Sequence, residues 1–333
     1  MQENLSKNTY FWYEREIEYL LAALELLVSF DVNPKIREVY SPEFVQEKRN
    51  SYPLLFEFFE NMQDDYSIEW LEFLLELDLE HFSLKGFFAY IKGLSKETLL
   101  ETLLQMPHSK IEKALNSEQG QLELYQNNRE IFRSYFVIQT LFQKSDWLVE
   151  CMEQFVSELR TEESERYLEF HTREIQGWKS KMQEELQQKD GLEYSESLMG
   201  KSFHNRGPFE QFYFVPSIFM PIRCCRWFEK KQIMIFDAIR LGQQDNQMIA
   251  EALKMLSDKT RFQILKLLKE RKSMSGIEIA EQMKLAPSTV SHHMSHLKKS
   301  GLVHEEPAGN TKYYSINIHC MKNCIETLEK TFL

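Results

Sequence analysis

The chain has 333 residues, 43% hydrophobic and 27% charged, with a formal net charge of −11. That is ordinary globular composition with length for two cored domains; few Gly and Pro favour helices, and five Cys without framework spacing argue against a disulfide scaffold. The charge is uneven: Met248–Leu333 holds 13 Lys and Arg against 9 Asp and Glu, leaving 27 against 42 elsewhere, so a polyanion should bind the C-terminal quarter.

In chain order, the start "MQENLSKNTYFWYEREIEYL" lacks a basic stretch followed by an apolar run, so no signal peptide is expected. The longest apolar stretch, "YLLAALELLVSF", is too short to span a bilayer and contains Glu25. No membrane association and a cytoplasmic location are the expectations. Tyr10–Phe30 carries apolar residues at helical spacing and predicts a helix ending near Asn33-Pro34. "SIEWLEFLLELDLEHFSLKGFFAYI" and "SKETLLETLLQM" predict further helices, the second stopped by Pro107. From Asn127 to about Gln188 the near-absence of Gly and Pro predicts two long helices, broken near Arg160 or Gly177. The β-formers of "FEQFYFVPSIFMPIRCCRWFEKKQIMIFDAI" predict a small sheet near 209–238, with Pro216 and Pro221 as edge or turn signals and a hairpin across "EKK". "RLGQQDNQ" (Arg240–Gln247) reads as a junction.

From Met248 the local signals agree with one another. "MIAEALKML" predicts a helix, and Ser257 or Asp258 caps "KTRFQILKLLKER", whose apolar stripe is Phe262, Ile264, Leu265, Leu267 and Leu268. Ser275 with Glu278 makes a capping box before "IEIAEQM". A short turn leads into "PSTVSHHMSHLKKSG" with Pro287 at its first position. "GLVHEE" and "TKYYSIN", joined by "PAGN", predict a hairpin. Helix, helix, turn, helix and hairpin make a winged helix-turn-helix.

Three histidines fall within five positions of the last helix, and helical geometry sorts them. At about 100° per residue, Val290, Met294 and Leu297 form the hidden stripe, with His292 nearly opposite and His293 at its edge. The outward face holds Ser288, Thr289, Ser291, His292, Ser295 and His296, followed by Lys298 and Lys299, without one carboxylate. Short hydroxyls and donor-capable rings can approach base edges and phosphates with no like-charge penalty, so DNA contact is the expected role. His292 and His296 at i and i+4 could also chelate a metal, but nothing else supplies third and fourth ligands, so neither metal nor cofactor is expected.

The residues "LSDKTRFQILKLL", "SGIEIAEQMKLAPSTVSHHMSHLKKSGLV" and "TKYYSI" make this module resemble the arsenical-resistance repressor (ArsR) family of bacterial regulators, over about a quarter of the chain. It departs from the family pattern at Lys259 and Ala286, where proline and an N-cap serine are usual, and at Glu305 and Glu306, where the wing often carries arginines. The resemblance implies a homodimer formed through segments near Gln247–Leu256 and His319–Phe332, each recognition helix meeting half of a palindromic operator in double-stranded DNA. Arg261, Lys298, Lys299 and Lys312 are the candidate phosphate contacts. The thiol pair by which many relatives sense metals is absent from "SMSGIEIA"; Cys320 and Cys324 read as packing residues, with soft-metal or redox sensing as the alternative.

The first domain shows no Gly-rich phosphate loop, nucleophile elbow or His-Glu-x-x-His, so no enzyme and no catalytic residue is expected. Its histidines are scattered, and its aromatics are ordinary packing or the lining of an apolar ligand pocket. The expected fold is mainly α. Residues 1–240 form a helical sensor or partner domain ending in a small β element, and 247–333 a winged helix-turn-helix. The expected function is transcription regulation, as a repressor, with a small-molecule or protein effector acting on the first domain. The alternatives are an enzyme or an interaction adaptor in the first domain, with the winged helix as an address.

Overall fold

The structure is a computed structural model, and it describes residues 2–28, 30, 33–199, 209–220, 224–228, 230–239, 252–308, 311–317, 320–321 and 325. The chain is mainly α. It opens with two strands, β1 (Gln2–Ser6) and β2 (Thr9–Trp12). The helices α1 (Arg15–Val28), α2 (Pro34–Val39), α3 (Pro42–Ser51), α4 (Pro53–Glu60), α5 (Leu84–Gly93), α6 (Lys96–Leu104), α7 (His108–Asn116) and α8 (Glu118–Asn127) follow. Then come α9 (Tyr135–Gln143), α10 (Ser145–Ser157), α11 (Glu162–Phe170), α12 (Thr172–Glu185) and α13 (Gly191–Met199). Strands β3 (Gln211–Ser217), β4 (Cys224–Phe228) and β5 (Lys231–Asp237) close this part.

These elements share one hydrophobic core, in which Trp12, Phe56, Phe58, Phe59, Phe87 and Phe88 are all at most 1% exposed. Those six aromatics are therefore packing residues. The sheet runs β1-β2-β3-β5-β4, with β2 parallel to β3 and β3 parallel to β5. The helical body is thus one long crossover between two parallel neighbours, β2 and β3. The predicted hairpin is present as antiparallel β4 and β5.

Pro216 sits inside β3 and costs no ladder bond. The Phe212 amide donates to Asn8 O on the β2 side at 2.8 Å, so by the two-residue alternation the nitrogen of residue 216 faces that side as well. Pairing with β2 has already ended at Phe214. Glu18 joins α1 to the end of β3. Fully buried, its carboxylate accepts from Ser217 Oγ at 2.8 Å and from the amides of Ile218 and Phe219 at 2.9 and 3.2 Å. Burial raises its pKa against those hydrogen bonds.

Three expectations are corrected. Residues 10–12 are strand, not the start of a helix: Tyr, Phe and Trp suit either state, and pairing with β1 and β3 decides. Asp64–Glu76 and Leu79–His81 are 3₁₀ segments, and α5 begins only at Leu84, where Ser83 Oγ accepts from the Gly86 amide. The stretch expected as two long helices is four, α9 to α12. The break at Arg160 is there because Thr161 and Ser164 form a capping box that starts α11, whereas Gly177 lies within α12.

The C-terminal segment has its own core, of Ala252, Ile264, Leu265, Leu268, Met274, Ile279, Ala280, Val290, Met294, Leu297, Leu302, Val303 and Cys320. Its elements are α14 (Lys259–Arg271), β6 (Met274–Ser275), α15 (Gly276–Met283), α16 (Pro287–Lys299), β7 (Val303–Ala308) and β8 (Thr311–Ile316), with the strands ordered β6-β8-β7. Asp258 is the cap of α14, accepting from the Arg261 amide at 2.8 Å. Phe262 leaves the expected stripe and is 56% exposed, because it lies about 110° around the helix from the centre of Ile264, Leu265 and Leu268. Among the described residues, no helix is long and apolar enough to cross a membrane.

Candidate nucleic-acid interface

The helix-turn-helix is built by local chemistry. Ser275 and Glu278 form the capping box that starts α15, and the Glu278 carboxylate titrates low through its bond from the Ser275 amide. Lys284, at φ 54°, turns the chain out of α15 in the left-handed region, and the Leu285 amide donates back to Ala280 O at 3.0 Å. α16 then starts at Pro287 with no side-chain cap from Ala286.

The expected division of α16 is present. Val290, Met294 and Leu297 are at most 1% exposed, and Ser288, Thr289, Ser291, His292 and Ser295 are exposed, with His296 half-buried. His292 and His296 lie together on the outer side, their Nε2 atoms 3.2 Å apart. His296 titrates below the usual histidine range because of burial, then the positive neighbours His292, Arg261, Lys299 and His293. His293 leans inward, with its Nδ1 buried and unpartnered among the described residues.

The basic residues are placed unequally. Lys299 is exposed and makes no ion pair among the described residues. Arg261 is drawn in: its Nε donates to Met255 O at 3.2 Å, Nη2 lies 3.9 Å from Asp258, and its side chain is only 15% exposed. Lys298 and Lys312 both meet Glu305, at 2.8 and 3.4 Å. Glu305 is the residue that sequence reasoning missed as a member of this site. The signal was legible: β7 follows α16 closely, and strand alternation puts Glu305, Lys312 and Tyr314 on one face of the hairpin.

Among the described residues no group of three or more His, Cys, Asp or Glu is placed to hold a metal ion. Cys320 is buried against Ser300 O at 3.9 Å; His319 and Cys324 lie outside the described residues. The first domain's histidines do not converge: His81 meets Asp78, His108 meets Glu101 and His171 meets Glu174, and His204 lies outside the described residues.

A helix-turn-helix with a hydroxyl- and imidazole-lined outer helix defines a transcriptional regulator. The comparisons agree: the model of the family described as "Bacterial regulatory protein, arsR family" matches residues 258–305. An uncharacterised HTH-type transcriptional regulator, MJ1325 of Methanocaldococcus jannaschii, is 37% identical over 81 residues, which is 24% of this chain and 91% of that protein. The transcriptional repressor SdpR of Bacillus subtilis is 35% identical over 22% of this chain and 79% of its own length. A homologue of the cadmium resistance regulatory protein CadC from Staphylococcus aureus is 30% identical over 28% of this chain and 74% of its own. A solved structure, HlyU from Vibrio cholerae, covers 27% of this chain and 97% of its own at 25% identity, with a TM-score of 0.22. This chain belongs to the arsR family of bacterial regulatory proteins.

Proposed function

We propose that this regulator is a cytoplasmic homodimeric repressor that binds operator DNA through residues 247–333 and receives its signal through residues 1–240. The observation that carries this reading is the outer face of α16, where Ser288, Thr289, Ser291, His292, Ser295 and His296 line up without a carboxylate over a fully buried stripe. Those six residues enter the major groove, and Lys299 with Lys298 and Lys312 meets the backbone, whereas Arg261, expected as a further phosphate contact, is held by Met255 O and Asp258. Repression is supported by the SdpR likeness. A homodimer is supported by Leu253 and Ile325, on the segments flanking the motif, which are 42% and 53% exposed. The signal reaches the acidic first domain as a small molecule or a protein.

The test is a gel-shift titration of the full chain against the upstream region of its own operon at two salt concentrations. Wild type should bind, and affinity should fall with a log-log slope of roughly −0.9 per phosphate neutralised. Ser291→Ala with His292→Ala should cost on the order of 100-fold in operator affinity, at about 1–3 kcal/mol per lost base contact, and leave the thermal unfolding midpoint unchanged. Full operator affinity in that double variant overturns the placement of α16.

A further inference from the structure

Lys298 stands in the last turn of α16 and Lys312 on β8, fourteen residues apart in sequence and on different elements. Their ammonium groups nonetheless converge on one atom, Glu305 Oε1, at 2.8 and 3.4 Å. Tyr314 stands directly opposite Glu305 across the hairpin. The lysine side chains stay 46% and 62% exposed while that of Glu305 is only 16% exposed, so the cationic groups form the rim and the carboxylate the floor. Register explains the floor: Glu305 is opposite Tyr314 and Lys312 is two residues from Tyr314, so the three share one face of the hairpin.

We infer that Lys298 and Lys312 form a single cradle for one backbone phosphate of duplex DNA, and that Glu305 fills it as an internal surrogate until the duplex displaces it. This rests on the DNA-binding reading above and deepens it. Two ammonium groups that share one oxygen are spaced for one oxyanion, not for two successive phosphates. A phosphate oxygen that takes the place of Oε1 keeps both ion pairs, and the released carboxylate turns to solvent beside the rim. The hairpin's contribution to affinity is therefore the phosphate contact less the cost of moving Glu305. Because that cost does not depend on base sequence, it weakens binding to every duplex alike.

The experiment measures binding of the full-length protein to operator and to random duplex by fluorescence anisotropy across a salt series. Glu305→Gln removes the surrogate's charge and should tighten binding to both duplexes by the same factor, on the order of tenfold. Glu306→Gln removes the same charge one residue on, where alternation turns the side chain to the other face, and should change affinity less than threefold. Lys298→Ala with Lys312→Ala should flatten the salt slope by about 0.9, the value for one phosphate, rather than about 1.8. Equal effects of Glu305→Gln and Glu306→Gln, or a flattening near 1.8, overturn the cradle while the wild type still binds. No binding by the wild type at low salt overturns the DNA reading itself.

Discussion

At the scale of single residues, the first domain contains a carboxylate placed against its own chemistry. Glu25 lies largely buried on α1, where burial outweighs the Asn33 hydrogen bond and the Lys35 charge and pushes its pKa up to about 7. Its partner Asn33 caps α2 and donates from Nδ2 both to Glu25 Oε2 at 3.1 Å and to Phe219 O at 3.2 Å. A raised carboxyl pKa means that the folded state binds more protons than the unfolded state between about pH 4.5 and 7, so stability falls as pH rises through that window. Below it the group is neutral in both states and contributes nothing. Glu25→Gln keeps an oxygen for Asn33 and removes the titration. It should stabilise the first domain at pH 8 by on the order of 2–3 kcal/mol and leave it nearly unchanged at pH 4.5. Thermal unfolding at the two pH values checks this; an equal shift at both would mean that packing, not ionisation, sets the difference.

At the scale of elements, α16 has an uncapped start and α15 a capped one, although the two are neighbours in one motif. Ala286 already has extended N-cap geometry, φ −67° and ψ 143°, and is exposed. A hydroxyl there would accept an amide from the first turn at no steric cost. Ala286→Ser should therefore stabilise the C-terminal segment by about 1 kcal/mol, raising its unfolding midpoint in calorimetry. No rise would show that the α16 amides are already satisfied without a cap. What was legible in the sequence follows the same division. The capping box of Ser275 and Glu278, the Asp258 cap and the stripe of Val290, Met294 and Leu297 are local signals, and each is where spacing put it. Tyr10–Trp12 was not legible as a strand, because Tyr, Phe and Trp suit either state and only pairing, with Gln2–Asn4 on one side and with Tyr213 and Phe214 two hundred residues away on the other, distinguishes them. The long 3₁₀ stretch at Asp64–Glu76 carried no sequence sign at all. Glu305 stood in the sequence only as a departure from the family pattern; strand alternation already puts it on the Lys312 face, while its reach to Lys298 depends on how α16 packs on β7, which a helical wheel does not contain.

At the scale of the molecule, one recognition helix is a limited reader. α16 has 13 residues, a length of about 20 Å, and such a helix meets only one half-site in the major groove. Specific binding therefore calls for two copies, held so that their outer helices face successive turns about 34 Å apart. Among the described residues of the C-terminal segment the exposed large apolar side chains are Leu253, Phe262, Ile277, Tyr313 and Ile325, of which Leu253 and Ile325 lie on the segments flanking the motif. The rest of the chain, with 42 acidic against 27 basic residues, disfavours approach to a duplex, so the proposed dimer is assigned an apolar seam in the C-terminal quarter. Wild type should sediment as a dimer at micromolar concentration. Leu253→Glu with Ile325→Glu should sediment as a monomer, because two buried carboxylates cannot be accommodated in an apolar seam. The same variant should lose affinity for a two-half-site operator by at least about 100-fold, since it forfeits the second set of base contacts, each worth about 1–3 kcal/mol. Its affinity for a duplex with a single half-site should stay within threefold of wild type, because α16 is untouched. A variant that still sediments as a dimer would place the seam elsewhere on the chain, and a loss of single-half-site binding would show that the flanking segments shape the reading helix itself.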